Sequence, residues 1–339
     1  MLHKDVYLQS LVYELPQEVV TTDSIYERLG PTFKRLGIPE SWISSLSGVS
    51  ERRVWPVGEK LSDIAIRIAR KALEKSGFKP EDIGCVICTS VSKEFIEPSM
   101  ACMVHNALNL PETTISYDIA NACLAFINGI SYMGQLIDQG LIKAALVVDV
   151  ESSRRVMENT VKNLAQDHID LTDFSKRFAG LTLGSGACAA VVCNSELASE
   201  KHKVMGHVTL ADTRYCHHCI GSFTDIITDQ TSLMKAGIEL AKRTWDLAAK
   251  TLADWRPELI DQYICHQVGA RHSRLLFETL GIENKKSFQT FPFLGNMGPA
   301  SAPITLAMAA EKGVIKALSR VAVLGIGSGL NCSMMEIVW

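Results

Sequence analysis

Residues 81–91, Glu-Asp-Ile-Gly-Cys-Val-Ile-Cys-Thr-Ser-Val, return at 258–268 as Glu-Leu-Ile-Asp-Gln-Tyr-Ile-Cys-His-Gln-Val, with five identities. Each copy reads as a short buried strand that follows an amphipathic helix, 62–76 in the first case and 233–252 in the second. The same offset carries Cys123, at a strand-to-helix junction, onto Ala300 at a second junction that contains glycine. One matching strand could arise from shared composition. Helix, strand and junction recurring in one order indicate a duplicated unit. Around the copies, helical and strand signals alternate: helix spacing over 61–75 and 126–136, strands over 83–91, 144–150, 321–324 and 334–338. Such alternation predicts an α/β layered fold. Residues 201–230 are expected to connect the halves and carry the polar cluster Tyr215-Cys216-His217-His218-Cys219.

With 339 residues, 47% apolar and 21% charged, the chain can bury a large core. A net charge of −3 and the lack of any Lys/Arg run argue against non-specific binding to nucleic acid or an anionic membrane. No apolar run reaches membrane-spanning length, and no signal-peptide pattern follows Met1, so a cytoplasmic location is expected. Ten cysteines in such a compartment should be thiols. Cys85, Cys88, Cys188, Cys193 and Cys265 lie in apolar strand-like segments, where a thiol packs as a small hydrophobe.

Three residues could carry chemistry together. Cys123 lies where an apolar-small run gives way to a helix, and a helix N-terminus favours the thiolate. His266 ends the strand of the second copy, and open α/β sheets place their chemistry at such strand ends. Asn296 sits in Gly295-Asn296-Met297-Gly298-Pro299-Ala300-Ser301, a punctuated loop leading into a helix. Alone, each has an ordinary explanation: core thiol, structural histidine, turn former. Other signals are set aside. The Cys216/Cys219 pair has zinc-like spacing without a second ligand pair, and is read as a polar loop, so no metal site is expected. Gly325-Ile326-Gly327-Ser328-Gly329 stands too near the C-terminus to open a dinucleotide-binding unit.

The order Asn-Ala-Cys123, His266-Gln, Gly-Asn296-Met-Gly-Pro-Ala-Ser and Gly-Ile-Gly-Ser328-Gly-Leu resembles the thiolase superfamily, along essentially the whole chain. Within it the sequence is similar to the ketoacyl-ACP synthase III branch, and closest to the olefin-biosynthesis thiolases, which join two fatty acyl-CoAs head to head. The resemblance implies a thiolase fold, five layers αβαβα from two duplicated βαβαβαββ halves. Residues 1–200 would supply the nucleophile and 201–339 the histidine and asparagine. It also implies that Cys123 takes an acyl group from CoA as a thioester, with an oxyanion hole from the backbone N–H groups of Cys123 and Ser328. His266 and Asn296 would then stabilise the enolate of a second acyl-CoA. Arg271 stands where the synthase branch has an arginine that contacts CoA phosphate. No cofactor is implied beyond acyl-CoA as substrate.

Glu97 distinguishes condensation without decarboxylation. A synthase that decarboxylates malonyl-ACP makes its carbanion by losing carbon dioxide, whereas joining two acyl-CoAs needs a base for the α-proton. Glu97 lies in Phe95-Ile96-Glu97-Pro98, an apolar setting that could raise a carboxyl pKa. By resemblance it acts across a homodimer interface in the partner's site, and downstream olefin-pathway enzymes are implied as further partners. The alternatives are a synthase joining acyl-CoA to malonyl-ACP, a hydrolase in which water resolves the acyl-cysteine, and a non-catalytic acyl-binding scaffold. Biosynthetic thiolases carry a second catalytic cysteine where this chain has Gly325, which argues against that branch, and Cys332 is expected in the core.

Overall fold

A computed structural model describes residues 1–339. Nine strands form one hydrogen-bonded sheet in the order Gln262–Cys265, Arg320–Gly327, Asn331–Val338, Lys203–Ala211, Tyr7–Glu14, Gly186–Cys193, Ala144–Glu151, Cys85–Cys88, Ile115–Asp118. The middle of that order is its weakest joint: strands Lys203–Ala211 and Tyr7–Glu14 share only the Tyr7–Lys203 pairing. Outward from the joint, both sides repeat one pattern of two antiparallel pairings followed by a parallel one. The first side adds Ile115–Asp118 as a full parallel strand, and the second keeps a single parallel bridge, Tyr263 to Ser287, at that place. The duplicated segments are the strands Cys85–Cys88 and Gln262–Cys265, in register at the offset read from the sequence.

The core explains why the central strands lack alternation. All eight residues of Ala144–Glu151 and of Gly186–Cys193 are buried, because helices cover both faces. The helices Leu61–Ser76 and Met100–Ala107 pack on the outer face of the first half through Ile64, Ile68, Ala72 and Val104, against Val86, Leu146 and Val148. Helices Gln230–Thr251 and Ala270–Leu280 do the same for the second half, with Leu240, Trp245 and Phe277 against Tyr263, Ala322 and Met334. Between the inner faces lie the helices Ala125–Asp138 and Ser301–Glu311, apolar almost all round. A helix with no polar face is stable only when enclosed, and here it is enclosed by two sheet faces. The result is five layers, the thiolase arrangement.

Cys85, Cys88, Cys188, Cys193, Cys265 and Cys332 are buried as small hydrophobes. The expected connection over 201–230 is different in part: it opens with Lys203–Ala211, a full strand of the sheet, and only then reaches the small hairpin Cys219–Gly221/Ile226–Thr228. Val204 and Val208 are buried on either side of a bulge at Met205, and their β-branched side chains explain why the segment pairs instead of looping. No helix is long and apolar enough to cross a membrane.

The central layer should be intolerant of lost volume. Ile304, wholly buried between the halves, is expected to cost about 2–5 kcal/mol when cut to alanine. Urea unfolding of Ile304→Ala checks this, and a cost below about 1 kcal/mol would contradict close packing there.

Candidate active site

Cys123 sits in the one-turn segment Ala122–Leu124 that leads into Ala125–Asp138. Ala122 takes φ 44°, a left-handed conformation that a residue with a side chain adopts only when its surroundings enforce it. Asn121 shows how they do so. Its amide donates to Asn128 Oδ1 (2.6 Å), and its Oδ1 accepts from Asn331 Nδ2 (3.2 Å). Asn128 in turn donates to Ser333 Oγ (3.2 Å), so residues from both halves hold the turn. The end of strand Arg320–Gly327 lies directly against it. A Cβ on Gly325 would stand 2.4 Å from Leu124 Cδ2, and one on Gly327 would stand 3.3 Å from the Cys123 nitrogen. Glycine at both positions lets the Ser328 backbone and the Cys123 N–H share one small space.

His266 follows the strand Gln262–Cys265, and its N–H donates to Leu324 O (2.7 Å) beside Gly325. The ring is buried, and Nδ1 has no hydrogen-bond partner. Gln267 ties this strand end to the asparagine loop by accepting the N–H groups of Thr290 (2.8 Å) and Phe291 (3.1 Å). Asn296 is fixed at both ends of its peptide unit, through Thr182 O and the Gly184 N–H. Its Oδ1 accepts from the Gly298 N–H (2.9 Å) and the Ser301 hydroxyl (3.4 Å). With the oxygen so occupied, the Nδ2 hydrogens are the part of the amide left for a ligand. The turn Gly298–Ala300 packs against the Cys123 turn, so Cys123, Ser328 and Asn296 converge, with His266 at the neighbouring strand end.

Burial sets the charge state of these groups. It pushes the Cys123 thiol up to about 12, with Cys219, Glu151 and Asp149 adding to the rise and its own backbone N–H opposing it. The helix N-terminus was expected to favour thiolate; desolvation and neighbouring acids outweigh it. Burial, then His272, takes His266 down to about 3, so the imidazole is neutral and can only donate from one nitrogen. Asp149 and Glu151 lie side by side in this region, and burial lifts both. Glu151 accepts three hydrogen bonds that oppose its rise, and Asp149 only that from Thr89, so Asp149 is lifted the further of the two.

Two sequence candidates are not at this cluster within the single chain. Glu97, before a cis proline, is exposed and makes no hydrogen bond or ion pair, so the apolar burial expected around it is not there. Arg271 is exposed in the first turn of Ala270–Leu280, with no ion pair. Cys219 is the opposite case. Read as part of a polar loop, it begins a hairpin strand instead, and its Sγ accepts from Ser328 Oγ (3.0 Å) at the site, while Cys216 is exposed. Asn121, Gln267, Cys219 and Glu151 were missed because their partners are far away in sequence. Directly behind the Cys123 turn, Phe126, Ile127, Ile130, Pro303, Leu306 and Val323 line an apolar cavity in the central layer.

A cysteine in a forced turn, an asparagine amide, a neutral histidine and an apolar recess thus lie near one another between the two halves. Residues 117–212 match the 3-oxoacyl-[acyl-carrier-protein] synthase III family, and residues 251–339 match the C-terminal region of the same synthase. An acyl-CoA:acyl-CoA alkyltransferase of Xanthomonas campestris pv. campestris is 39% identical, with both chains covered in full, and its counterpart in Shewanella oneidensis is 37% identical over both full chains. A β-ketoacyl-ACP synthase III of Clostridium tetani is 28% identical, covering 88% of this chain and 90% of its own. Among solved structures, cerulenin-bound Xanthomonas campestris OleA superposes with TM-score 0.97, covering 100% of this chain and 98% of that one, at 39% identity. A cysteine-to-serine variant of the same protein, with bound lauric acid and lauroyl-CoA, gives TM-score 0.96 and full coverage of both chains at 39% identity. The chain belongs to the 3-oxoacyl-ACP synthase III-like family of the thiolase superfamily, in the group of the OleA acyl-CoA:acyl-CoA alkyltransferases.

The raised thiol pKa makes a direct prediction for the empty site. Because the folded-state value lies above neutral pH, the reactive thiolate should be scarce at pH 7 and grow about tenfold per pH unit to pH 10. Alkylation of Cys123 by iodoacetamide, followed on its own peptide to separate it from exposed Cys102 and Cys216, measures this. A plateau below pH 8 would show a thiolate already formed at neutrality.

Proposed function

We propose that this enzyme joins two fatty acyl-CoAs by Claisen condensation without decarboxylation, through an acyl-Cys123 thioester. The observation that carries this reading is the full-length 39% identity with an acyl-CoA:acyl-CoA alkyltransferase, against 28% with a synthase III. Residue spacing supports it. The OleA structures include variants at a glutamate and at a cysteine 26 positions later, the separation of Glu97 and Cys123 here. A histidine varied in that protein follows its cysteine by 142 positions, and His266 follows Cys123 by 143.

In the first step the Cys123 sulphur attacks the thioester carbon of one acyl-CoA. The backbone N–H groups of Cys123 and Ser328 receive the developing oxyanion, CoA leaves as its thiolate, and the thiol proton leaves with it. The acyl tail is assigned to the apolar central layer behind the turn, where Phe126, Ile127 and Leu306 line a cavity of about 20 Å³ that has to widen to admit it. Arg271 is assigned to a CoA phosphate on the exposed side, and no cofactor takes part. In the second step a carboxylate removes the α-proton of a second acyl-CoA. Neutral His266 and the Asn296 amide donate to the thioester oxygen of the resulting enolate, whose α-carbon attacks the Cys123 thioester and expels the cysteine thiolate. The product is a β-ketoacyl-CoA.

Glu97 is the carboxylate, and it serves the site of a second copy. The strand Ile115–Asp118 ends the sheet with an unpaired edge, flanked by apolar residues left bare: Ile96 is 85% exposed, Ile115 51% and Phe95 49%. An open edge beside such a patch favours pairing with another chain. Burial against that chain would supply the apolar surroundings Glu97 lacks alone.

Incubation with a long-chain acyl-CoA, with and without malonyl-ACP, tests the function. β-Ketoacyl product from acyl-CoA alone is expected; a strict need for malonyl-ACP, or free fatty acid as sole product, would replace the proposal. Cys123→Ala should form neither acyl-enzyme nor product. Glu97→Ala should still acylate Cys123 while losing about 10²- to 10⁴-fold in condensation. Condensation by Glu97→Ala at the wild-type rate would remove Glu97 as the base.

A further inference from the structure

Glu151 ends the strand Ala144–Glu151, and its carboxylate reaches sideways to the start of the loop that carries Glu97. One oxygen accepts the Val91 N–H (2.6 Å); the other accepts the Ser92 N–H (3.2 Å) and the Ser92 hydroxyl (2.7 Å). The Ser92 oxygen also accepts the Ser152 N–H (3.0 Å), which locks this root to the end of the same strand. The far end of the loop has its own carboxylate: Asp118 accepts the N–H groups of Met100 (3.3 Å) and Ala101 (3.1 Å) and pairs with Lys93 (3.0 Å). Glu94 adds a third anchor by accepting the Ser62 N–H (3.1 Å) and hydroxyl (2.7 Å), and beyond it residues 95–98 project into solvent without a hydrogen bond. On its other side the Glu151 carboxyl lies 3.7 Å from the place a Cβ on Gly298 would occupy, in the turn whose N–H holds Asn296 Oδ1.

We propose that Glu151 is a positioning residue for condensation, fixing the root of the Glu97 loop and thereby the point at which Glu97 enters the partner's site. This rests on the reading of Glu97 as the base. An ionised carboxylate can accept three donors at once, and such charge-assisted bonds are about twice as strong as neutral ones. A carboxamide has one accepting oxygen and would turn its NH₂ toward at least one of those donors. The loop would then be held at this end only by the Glu94–Ser62 bonds, the Lys93–Asp118 pair and the Ser92–Ser152 bond, while the Cys123 turn keeps the asparagine network and the glycine contacts that hold it. A base displaced by about 1 Å loses on the order of a hundredfold in rate.

The test separates the two half-reactions in the full-length protein. Glu151→Gln should acylate Cys123 from a long-chain acyl-CoA, seen as added mass on the intact chain, at least as fast as wild type, because it removes an acid that raises the thiol, yet condense about ten- to a hundredfold more slowly. Ser92→Ala, which removes one hydroxyl donor, should show the same split with a smaller loss, and carries the test if Glu151→Gln does not fold. Condensation at the wild-type rate in both variants, with Glu97→Ala inactive, would overturn the proposal. Equal slowing of both half-reactions would overturn it too, because Glu151 would then act on the site as a whole. Wild-type condensation in Glu97→Ala sinks the underlying assignment of the base, and is read in a separate variant.

Discussion

The distance between two backbones governs this site. The strand Arg320–Gly327 comes so close to the Cys123 turn that side chains on Gly325 and Gly327 would strike Leu124 and crowd the Cys123 nitrogen. That approach brings the Ser328 backbone up to the Cys123 N–H, as the proposed oxyanion hole requires. It also presses on the Ala122 peptide, which adopts a left-handed conformation that costs energy. The cost is met by the Asn121–Asn128–Ser333 bonds and by burial of Leu124 and Phe126 in the central layer. The nucleophile is therefore placed by packing of the two halves, and not by its own segment.

Low polarity around the site has a second consequence. With the thiol pushed up to about 12 and His266 down to about 3, the resting pair is neutral on both sides, unlike a thiolate–imidazolium pair. A neutral imidazole suits a donor to a thioester oxygen better than a base would, because it holds its proton through the enolate stage. The nearby acids contribute: Glu151 and Asp149 both raise the thiol, and an anionic cysteine beside them would add a further buried charge. In the proposed reaction, activation of Cys123 therefore depends on the substrate carbonyl settling between the two backbone N–H groups, where the charge developing on attack is stabilised.

What could be read from the chain follows the range of the interactions concerned. The repeat at 81–91 and 258–268 was legible because strand and helix periodicity are local, and it located Cys85–Cys88 and Gln262–Cys265 in register. The buried cysteines were legible from their apolar neighbours. Cys123, His266 and Asn296 needed the family pattern, since each alone has a bland reading. Cys219 could be read only as part of a polar loop, because its partner, Ser328, is 109 residues away. The thiol pKa was misjudged for a related reason. A helix N-terminus is visible in sequence, but Glu151, Asp149 and the dry surroundings that outweigh it are supplied by tertiary packing. Glu97 shows the limit most clearly, because its surroundings in one chain are solvent.

Duplication accounts for where the chemistry sits and for its asymmetry. Each half delivers a parallel strand end and the start of a central helix to the same place between the sheets. At the offset of the repeat, Cys123 corresponds to Ala300 and His266 to Thr89. Each half therefore carries one candidate reactive group, with a small or inert residue at the counterpart of the other. Thr89, at the histidine's counterpart, is buried and bonded to Asp149, and so has become part of the support. Near the strand end equivalent to Glu151, the second half has the Gly327–Ser328 turn. In the first half the Glu151 carboxylate holds the Val91–Ser92 segment, and its counterpart at the repeat's offset is Ser328, whose backbone N–H is proposed to face the thioester. Gly325 and Gly327 stand where the first half has Val148 and Val150, and those valines fill the outer core of their own half, so the close approach to the Cys123 turn belongs to the second half alone.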